Sequence, residues 1–126
     1  MPEIFNRDEI ENALQRVDPT KAIEEGFVAY SRGEVVVPPV GELVFEDPPG
    51  DVHIKYGYIK QEHYYVIKVA SGFHENPASG LPSSHGLMLV FSQTTGELAC
   101  ILLDEGHLTD VRTAVAGAIC TKYLAP

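Results

Sequence analysis

The sequence predicts one α+β domain across residues 1–126, with two N-terminal helices, about six mostly antiparallel strands and a closing C-terminal helix. Helix-capping residues and apolar positions at helical spacing occur near both ends of the chain, and short apolar runs separated by turn residues fill its middle. The 126 residues, of which 44% are hydrophobic, suffice for one core and are too few for two ordinary domains.

The first third of the chain is predicted to form two helices. Asn6 or Asp8 can cap the first helix with its side-chain oxygen. The apolar positions of this helix are Ile10, Leu14 and Val17. Asp18 followed by Pro19 marks the start of a second helix, because Asp suits the N-cap and Pro suits the first helical position. Gly33 supplies a stop for the second helix.

The middle of the chain is predicted to form strands. Residues 35–37 are β-branched, residues 42–45 alternate weakly, and residues 48–51 read as a turn rich in Pro and Gly. Residues 52–59 and 63–70 form the clearest hairpin, although its turn contains no Gly. Strands joined in this way pair in antiparallel fashion.

The last third begins with residues 71–84, whose Gly, Pro, Ser and Asn content predicts one long loop of the kind that carries functional residues. A second hairpin is predicted from residues 86–91 and 97–103, and a closing helix from 108–123 with Thr109 as its N-cap. A sheet in so small a domain must protect its edges. We therefore expect either an open sheet covered by a second subunit or a barrel-like dimer.

The charge and composition of the chain exclude some classes of function. The net charge of −9 argues against sequence-independent binding of nucleic acid, which needs a basic surface. No apolar run reaches the about 20 residues of a membrane span, and the N-terminus does not resemble a signal peptide. We therefore expect a cytoplasmic protein without membrane or nucleic-acid partners. Cys100 and Cys120 are expected to be reduced, buried thiols.

Lys68 is the first candidate for chemistry. It interrupts an apolar strand and shares a face with Val66 and Ala70 by strand alternation. One apolar face must therefore hold a cation, and the long loop that follows favours a site there. The alternative is a lysine on a solvated face. Lys55 lies in the neighbouring strand, where the pattern alone favours an exposed polar face.

The loop at 71–84 and the residues after it carry hydroxyls, amides and two imidazoles. His74, Glu75 and His85 do not match the spacing of a standard metal site, so no metal is expected. The loop contains neither a Walker pattern nor G-x-G-x-x-G. Ser83 and Ser84 have no identifiable base partner that would make either a nucleophile.

Arg112 is the strongest candidate. It falls near the start of the closing helix, where backbone N–H groups favour anions and an arginine can grip a carboxylate or a phosphate. Small residues surround it, so the helix can pack closely. The alternatives are an arginine that extends its head to solvent from a buried helix, or one paired with Asp104 or Glu105.

Several of these segments, taken in order, resemble the ornithine cyclodeaminase/mu-crystallin family over about residues 3–126. The T-G-E-L-A segment followed by L-T-x-x-R-T-A is the most specific part. The matching residues are Lys68, Asn76-Pro77, Gly80-Leu81-Pro82, 86–90, 95–99 and 108–114.

The resemblance implies the N-terminal half of a two-domain enzyme. In the family, this half binds the substrate and dimerises, and a Rossmann domain binds NAD(P) for hydride transfer at the α-carbon of an amino or imino acid. Lys68 matches the lysine that contacts the substrate carboxylate and assists proton transfer, and Arg112 matches the arginine that grips the same group. Ser83 falls where many members place a threonine near the nicotinamide.

Two departures from the family pattern affect the expected function. Val40-Gly41 stands where many members have a third cation after the proline, and we expect Lys55 to replace it. The chain ends at Pro126, before the glycine fingerprint. We therefore expect a truncated protein without the Rossmann domain that forms a homodimer, binds no NAD(P) alone and is inactive alone. The alternative is a free-standing dimeric module that binds a small carboxylate or a protein partner without catalysis.

Overall fold

A computed structural model describes all residues from 1 to 126, which form three helices and seven strands. The helices are α1 (Arg7–Leu14), α2 (Pro19–Ser31) and α3 (His107–Leu124). The strands are β1 (Glu3–Phe5), β2 (Val35–Val36), β3 (Gly41–Glu46), β4 (Pro49–Ile59), β5 (Tyr64–Phe73), β6 (Ser84–Ser92) and β7 (Leu98–Leu102). A single 3₁₀ turn spans Asn76–Ser79. The α+β class is confirmed, as are two helices before the main run of strands and one helix after it, whereas β1, which precedes α1, was not predicted.

The strands form one open, mixed sheet in the order β1-β7-β6-β5-β4-β2, with β3 also paired to β4. All neighbours are antiparallel except β1, which runs parallel to β7. The long strands β4, β5 and β6 form its centre. The single chain therefore has the open sheet of the two predicted arrangements.

The caps of the first two helices are confirmed. The Glu9 N–H donates to Asn6 Oδ1 over 2.9 Å, and the Asn6 N–H donates to Glu9 Oε1 over 3.3 Å, which completes a capping box. The Lys21 N–H donates to Asp18 Oδ1 over 3.1 Å at the start of α2. Gly33, with φ of 74°, follows the end of α2 as predicted.

The predicted N-cap of α3 is wrong by three residues, although the helix begins at His107, one residue before the predicted start. Gly106 occupies the N-cap with φ of 82° and makes no side-chain cap, whereas Thr109 lies inside the helix. The side chain of Asp104 takes over the capping role, since its Oδ2 accepts a hydrogen bond from the Leu108 N–H over 2.9 Å. Arg112 consequently lies in the second turn of α3.

The clearest predicted hairpin is confirmed as β4 and β5. Its turn needs no glycine because Gln61 adopts the left-handed conformation with φ of 70°. The second predicted hairpin is confirmed as β6 and β7.

Two turn predictions need correction. Residues 71–73 belong to β5 and not to a long loop, because Ser71 and Gly72 continue the ladder with His85 and Ser84. The turn predicted at 48–51 is also shorter, since Pro49 already pairs with Glu46. Gly and Pro are weak predictors of loops where a neighbouring strand supplies partners.

The core of the single chain is small. The buried apolar side chains are Ile10 and Ile119, and many large apolar side chains remain exposed on the sheet and on α2. Helices α2 and α3 pack against each other. Cys120 is exposed, contrary to the prediction, whereas Cys100 is partly buried and burial raises the pKa of its thiol. None of the three helices combines the length and hydropathy needed to cross a bilayer.

We predict that Asn6→Ala lowers the free energy of unfolding by about 1 kcal/mol, because it removes the acceptor of the capping box. Urea titration followed by circular dichroism measures the change. Asn12→Ala is the matched control, since Asn12 lies within α1 and makes no side-chain hydrogen bond. An Asn6→Ala variant as stable as wild type would contradict the role of the cap.

Candidate functional site

The register of the central strands places two lysines side by side. Lys55 of β4 pairs directly with Lys68 of β5, and Lys68 pairs with Met88 of β6. Residues directly opposite each other on neighbouring strands project to the same face of the sheet. The two predicted cations and Met88 therefore form one row across the sheet.

The alternation predicted for β5 is confirmed. Val66 and Lys68 line one cavity, whereas Tyr65 and Ile67 line another cavity of about 570 Å³. The second cavity includes Tyr58 as well. The face of β5 that carries Lys68 is thus distinct from the face that carries Tyr65 and Ile67.

Helix α3 completes the lysine cavity. Leu108, Thr109 and Arg112 line it from the helix side, and its volume is about 330 Å³. We call this space the cation cavity. Its lining residues are Val37, Lys55, Tyr56, Gly57, Val66, Lys68, Met88, Leu108, Thr109 and Arg112. The structure therefore brings together the three cations named from the sequence, Lys55, Lys68 and Arg112.

None of these three cations is neutralised by a carboxylate within ion-pair distance. The ion pairs of the chain involve other residues, and Glu105, one predicted alternative partner of Arg112, pairs with Arg7 at 3.5 Å. The Arg112 guanidinium instead lies 5.6 Å from the centre of the Phe27 ring on α2. Its five N–H donors are not held by an acid of this chain.

The surroundings of Lys68 oppose its positive charge. Partial burial lowers the pKa of the Lys68 ammonium, and the nearby charges of Lys55 and Arg112 lower it further. Asp104 acts in the opposite direction and raises the pKa of Lys68. A bound anion would add to the effect of Asp104, so the cavity is electrostatically suited to a carboxylate.

Sequence reasoning considered Asp104 only as a partner for Arg112. The structure shows it to be the most buried charged residue, with 1% of its surface exposed. Its Oδ2 accepts from the Leu108 N–H, whereas its Oδ1 has no hydrogen-bond partner. An acid two residues after a strand and three before a helix is the sequence signal that could have found it.

Ser83 does not line the cation cavity. It lines a separate polar cavity of about 420 Å³ together with Arg7, Ser84, His85 and Asp110. A third cavity of about 230 Å³ lies between the two, because it shares Thr109 with the cation cavity and shares Ser84, His85 and Asp110 with the Ser83 cavity. The first two turns of α3 therefore border all three spaces.

Comparison with known proteins agrees with this architecture. The sequence model of the ornithine cyclodeaminase/mu-crystallin family matches residues 2–126. An uncharacterised cyclodeaminase of Sinorhizobium fredii is 42% identical over 110 residues, which are 86% of this chain and 33% of that protein. The chain thus spans about a third of the length of this relative.

Solved structures share the fold. An archaeal alanine dehydrogenase dimer with bound NAD superimposes with a TM-score of 0.88 at 30% identity, covering 99% of this chain and 38% of that one. The Δ1-pyrroline-2-carboxylate reductase of Thermococcus litoralis, in complex with NADH and L-proline, gives 0.88 at 26% identity over 98% of this chain and 38% of that one. Because the family model matches nearly every residue, the chain belongs to the ornithine cyclodeaminase/mu-crystallin family of NAD(P)-dependent cyclodeaminases, dehydrogenases and reductases.

Proposed function

We propose that this chain is the substrate-binding and dimerisation part of an NAD(P)-dependent enzyme acting on a small amino or imino acid. The observation that carries the proposal is the cation cavity, in which Lys55, Lys68 and Arg112 converge without an ion-pair partner. A single carboxylate can accept from the arginine fork and from an ammonium at the same time.

Each cation has a distinct task in this proposal. Arg112 binds the substrate carboxylate with two parallel hydrogen bonds, and Lys55 adds a third positive charge from the exposed edge. Lys68 contacts the same carboxylate and serves as the catalytic residue that assists proton transfer. Its lowered pKa supports that role, because an ammonium that loses its proton more readily is a better acid and its amine is available as a base at lower pH.

The polar cavity at Ser83 fits the nicotinamide end of NAD(P). Hydroxyls of Ser83 and Ser84 and the imidazole of His85 offer donors and acceptors for an amide or a ribose. NAD(P), when bound, supplies or accepts the hydride. We propose that residues 1–126 bind the acid without turning it over by themselves, since G-x-G-x-x-G does not occur in them.

We predict that Arg112→Met weakens binding of L-proline by about tenfold or more, the equivalent of a charge-assisted hydrogen bond of about 1.5–3 kcal/mol. Titration followed by NMR chemical shifts of the protein amides measures the affinity. L-prolinamide, which lacks the carboxylate, should not bind. Arg16→Met is the matched control, because Arg16 is exposed and lies outside the cavity. Equal affinity in wild type and Arg112→Met would refute the proposed grip.

We predict that Lys55→Met weakens L-proline binding by about threefold, a smaller effect because an ammonium lacks the planar fork with which the arginine binds a carboxylate through two hydrogen bonds. Lys60→Met serves as the control, since Lys60 follows the end of β4 and does not line the cavity. If the affinity of Lys55→Met equals that of wild type, Lys55 does not replace the missing third cation, and the site consists of Lys68 and Arg112.

We propose a homodimer because the single chain leaves apolar side chains of the sheet and α2 exposed, among them Phe45, Tyr56, Tyr58 and Phe27. The archaeal alanine dehydrogenase of the same fold is a dimer. We predict twice the monomer mass in sedimentation equilibrium at micromolar concentration. A monodisperse monomer would contradict the dimerisation role and leave the carboxylate-binding prediction standing.

A further inference from the structure

Asp104 lies where it can affect both helix α3, which carries Arg112, and Lys68 on β5. It lies in the turn between β7 and α3, and only 1% of its surface is exposed. A carboxylate buried so completely is costly unless hydrogen bonds or opposite charges offset the loss of water. One of its oxygens accepts from the Leu108 N–H, and the other has no hydrogen-bond partner.

The first effect of Asp104 is mechanical. Its backbone carbonyl accepts from the His107 N–H over 2.9 Å, and its side chain accepts from the Leu108 N–H over 2.9 Å. Gly106 at the N-cap contributes no side chain, so Asp104 is the residue that binds the first two N–H groups of α3. Leu108 and Arg112, which follow on the same helix, line the cavity. The position of the Arg112 fork therefore depends on Asp104.

The second effect is electrostatic. The charged groups that act on Lys68 are Lys55 from β4, Arg112 from α3 and Asp104 from the β7–α3 turn. The partner of Lys68 on β6 is Met88, which carries no charge. Burial, Lys55 and Arg112 each lower the pKa of Lys68, and Asp104 alone raises it. The unpaired Oδ1 leaves part of this charge uncommitted to a hydrogen bond.

We propose that Asp104 is a positioning residue of the cation cavity, whose buried carboxylate fixes the first turn of α3 and supplies the negative charge that favours the ammonium of Lys68. This inference rests on the proposed function of the cavity and names the residue that prepares it for an anion. Asp104 acts through Lys68 and Arg112 and does not itself bind the acid, since a carboxylate repels a carboxylate.

The test is Asp104→Asn in the ligand-free chain, because asparagine keeps an acceptor for the Leu108 N–H and removes the charge. The readout is the titration of the Lys68 side chain, followed by the ¹³Cε chemical shift and assigned by its absence in Lys68→Met. We expect the pKa of Lys68 to fall by about 0.5 unit or more relative to wild type. Asp110→Asn is the matched control, since it removes the same charge from an exposed position in the first turn of α3.

The outcomes separate a positioning role from a merely structural cap. An unchanged Lys68 titration in a folded Asp104→Asn variant, or an equal fall in Asp110→Asn, would overturn the proposal. Asp104→Ser, which also keeps a capping oxygen and lacks the charge, decides the question with the same readout if the asparagine variant does not fold. The titration needs no ligand, so it remains decisive even if L-proline fails to bind and the proposed function is wrong.

Discussion

The register of β4, β5 and β6 is the constraint on which the rest of the site depends. It sets Lys55 directly opposite Lys68, and like charges at that distance disfavour the folded sheet. A slip of one residue in β5 would exchange the two faces of that strand, so that Lys68 would leave the cation cavity and Tyr65 and Ile67 would take its side of the sheet. The fold therefore holds a repulsive arrangement in place by means of the apolar side chains around it. A bound anion would reduce the repulsion between the two lysines.

Local charge outweighs the global charge in this molecule. The chain carries −9 overall, yet three of its nine basic residues converge in the cation cavity, where the single buried acid, Asp104, belongs to the adjoining turn. Acidic residues elsewhere are largely exposed and screened by solvent. A small anion that enters the cavity lies closer to these cations than to the screened acidic residues. A protein with a negative net charge can therefore bind an acid at this place.

The helices and hairpins of the fold could be predicted because their signals are local. Asn6, Asp18 and Gly33 lie within a few residues of the groups they cap or the helix they end. Strand β1 could not be predicted, since its three residues pair in parallel with β7, almost a hundred residues later. Residues 71–73 were also mispredicted because their strand partners on β6 are distant in the sequence. Pairing with those partners makes them part of a strand despite a composition typical of loops. Thr109 has the residue type of an N-cap. Asp104 accepts a hydrogen bond from the Leu108 N–H instead, and the helix already begins before Thr109.

The site could be predicted only as a set of separate residues. Alternation placed Lys68 on a face with Val66, but whether that face was solvated depended on where α3 lies, which no local pattern encodes. Resemblance to a family grouped Lys68 with Arg112, and the structure adds that neither cation has a carboxylate within ion-pair distance. Thr109 borders both the cation cavity and the space that leads toward Ser83. The first two turns of α3 therefore link the proposed carboxylate site to the proposed nicotinamide side. Because Asp104 binds the first turn of α3, a substitution of Asp104 would alter both the proposed carboxylate site and the proposed nicotinamide side.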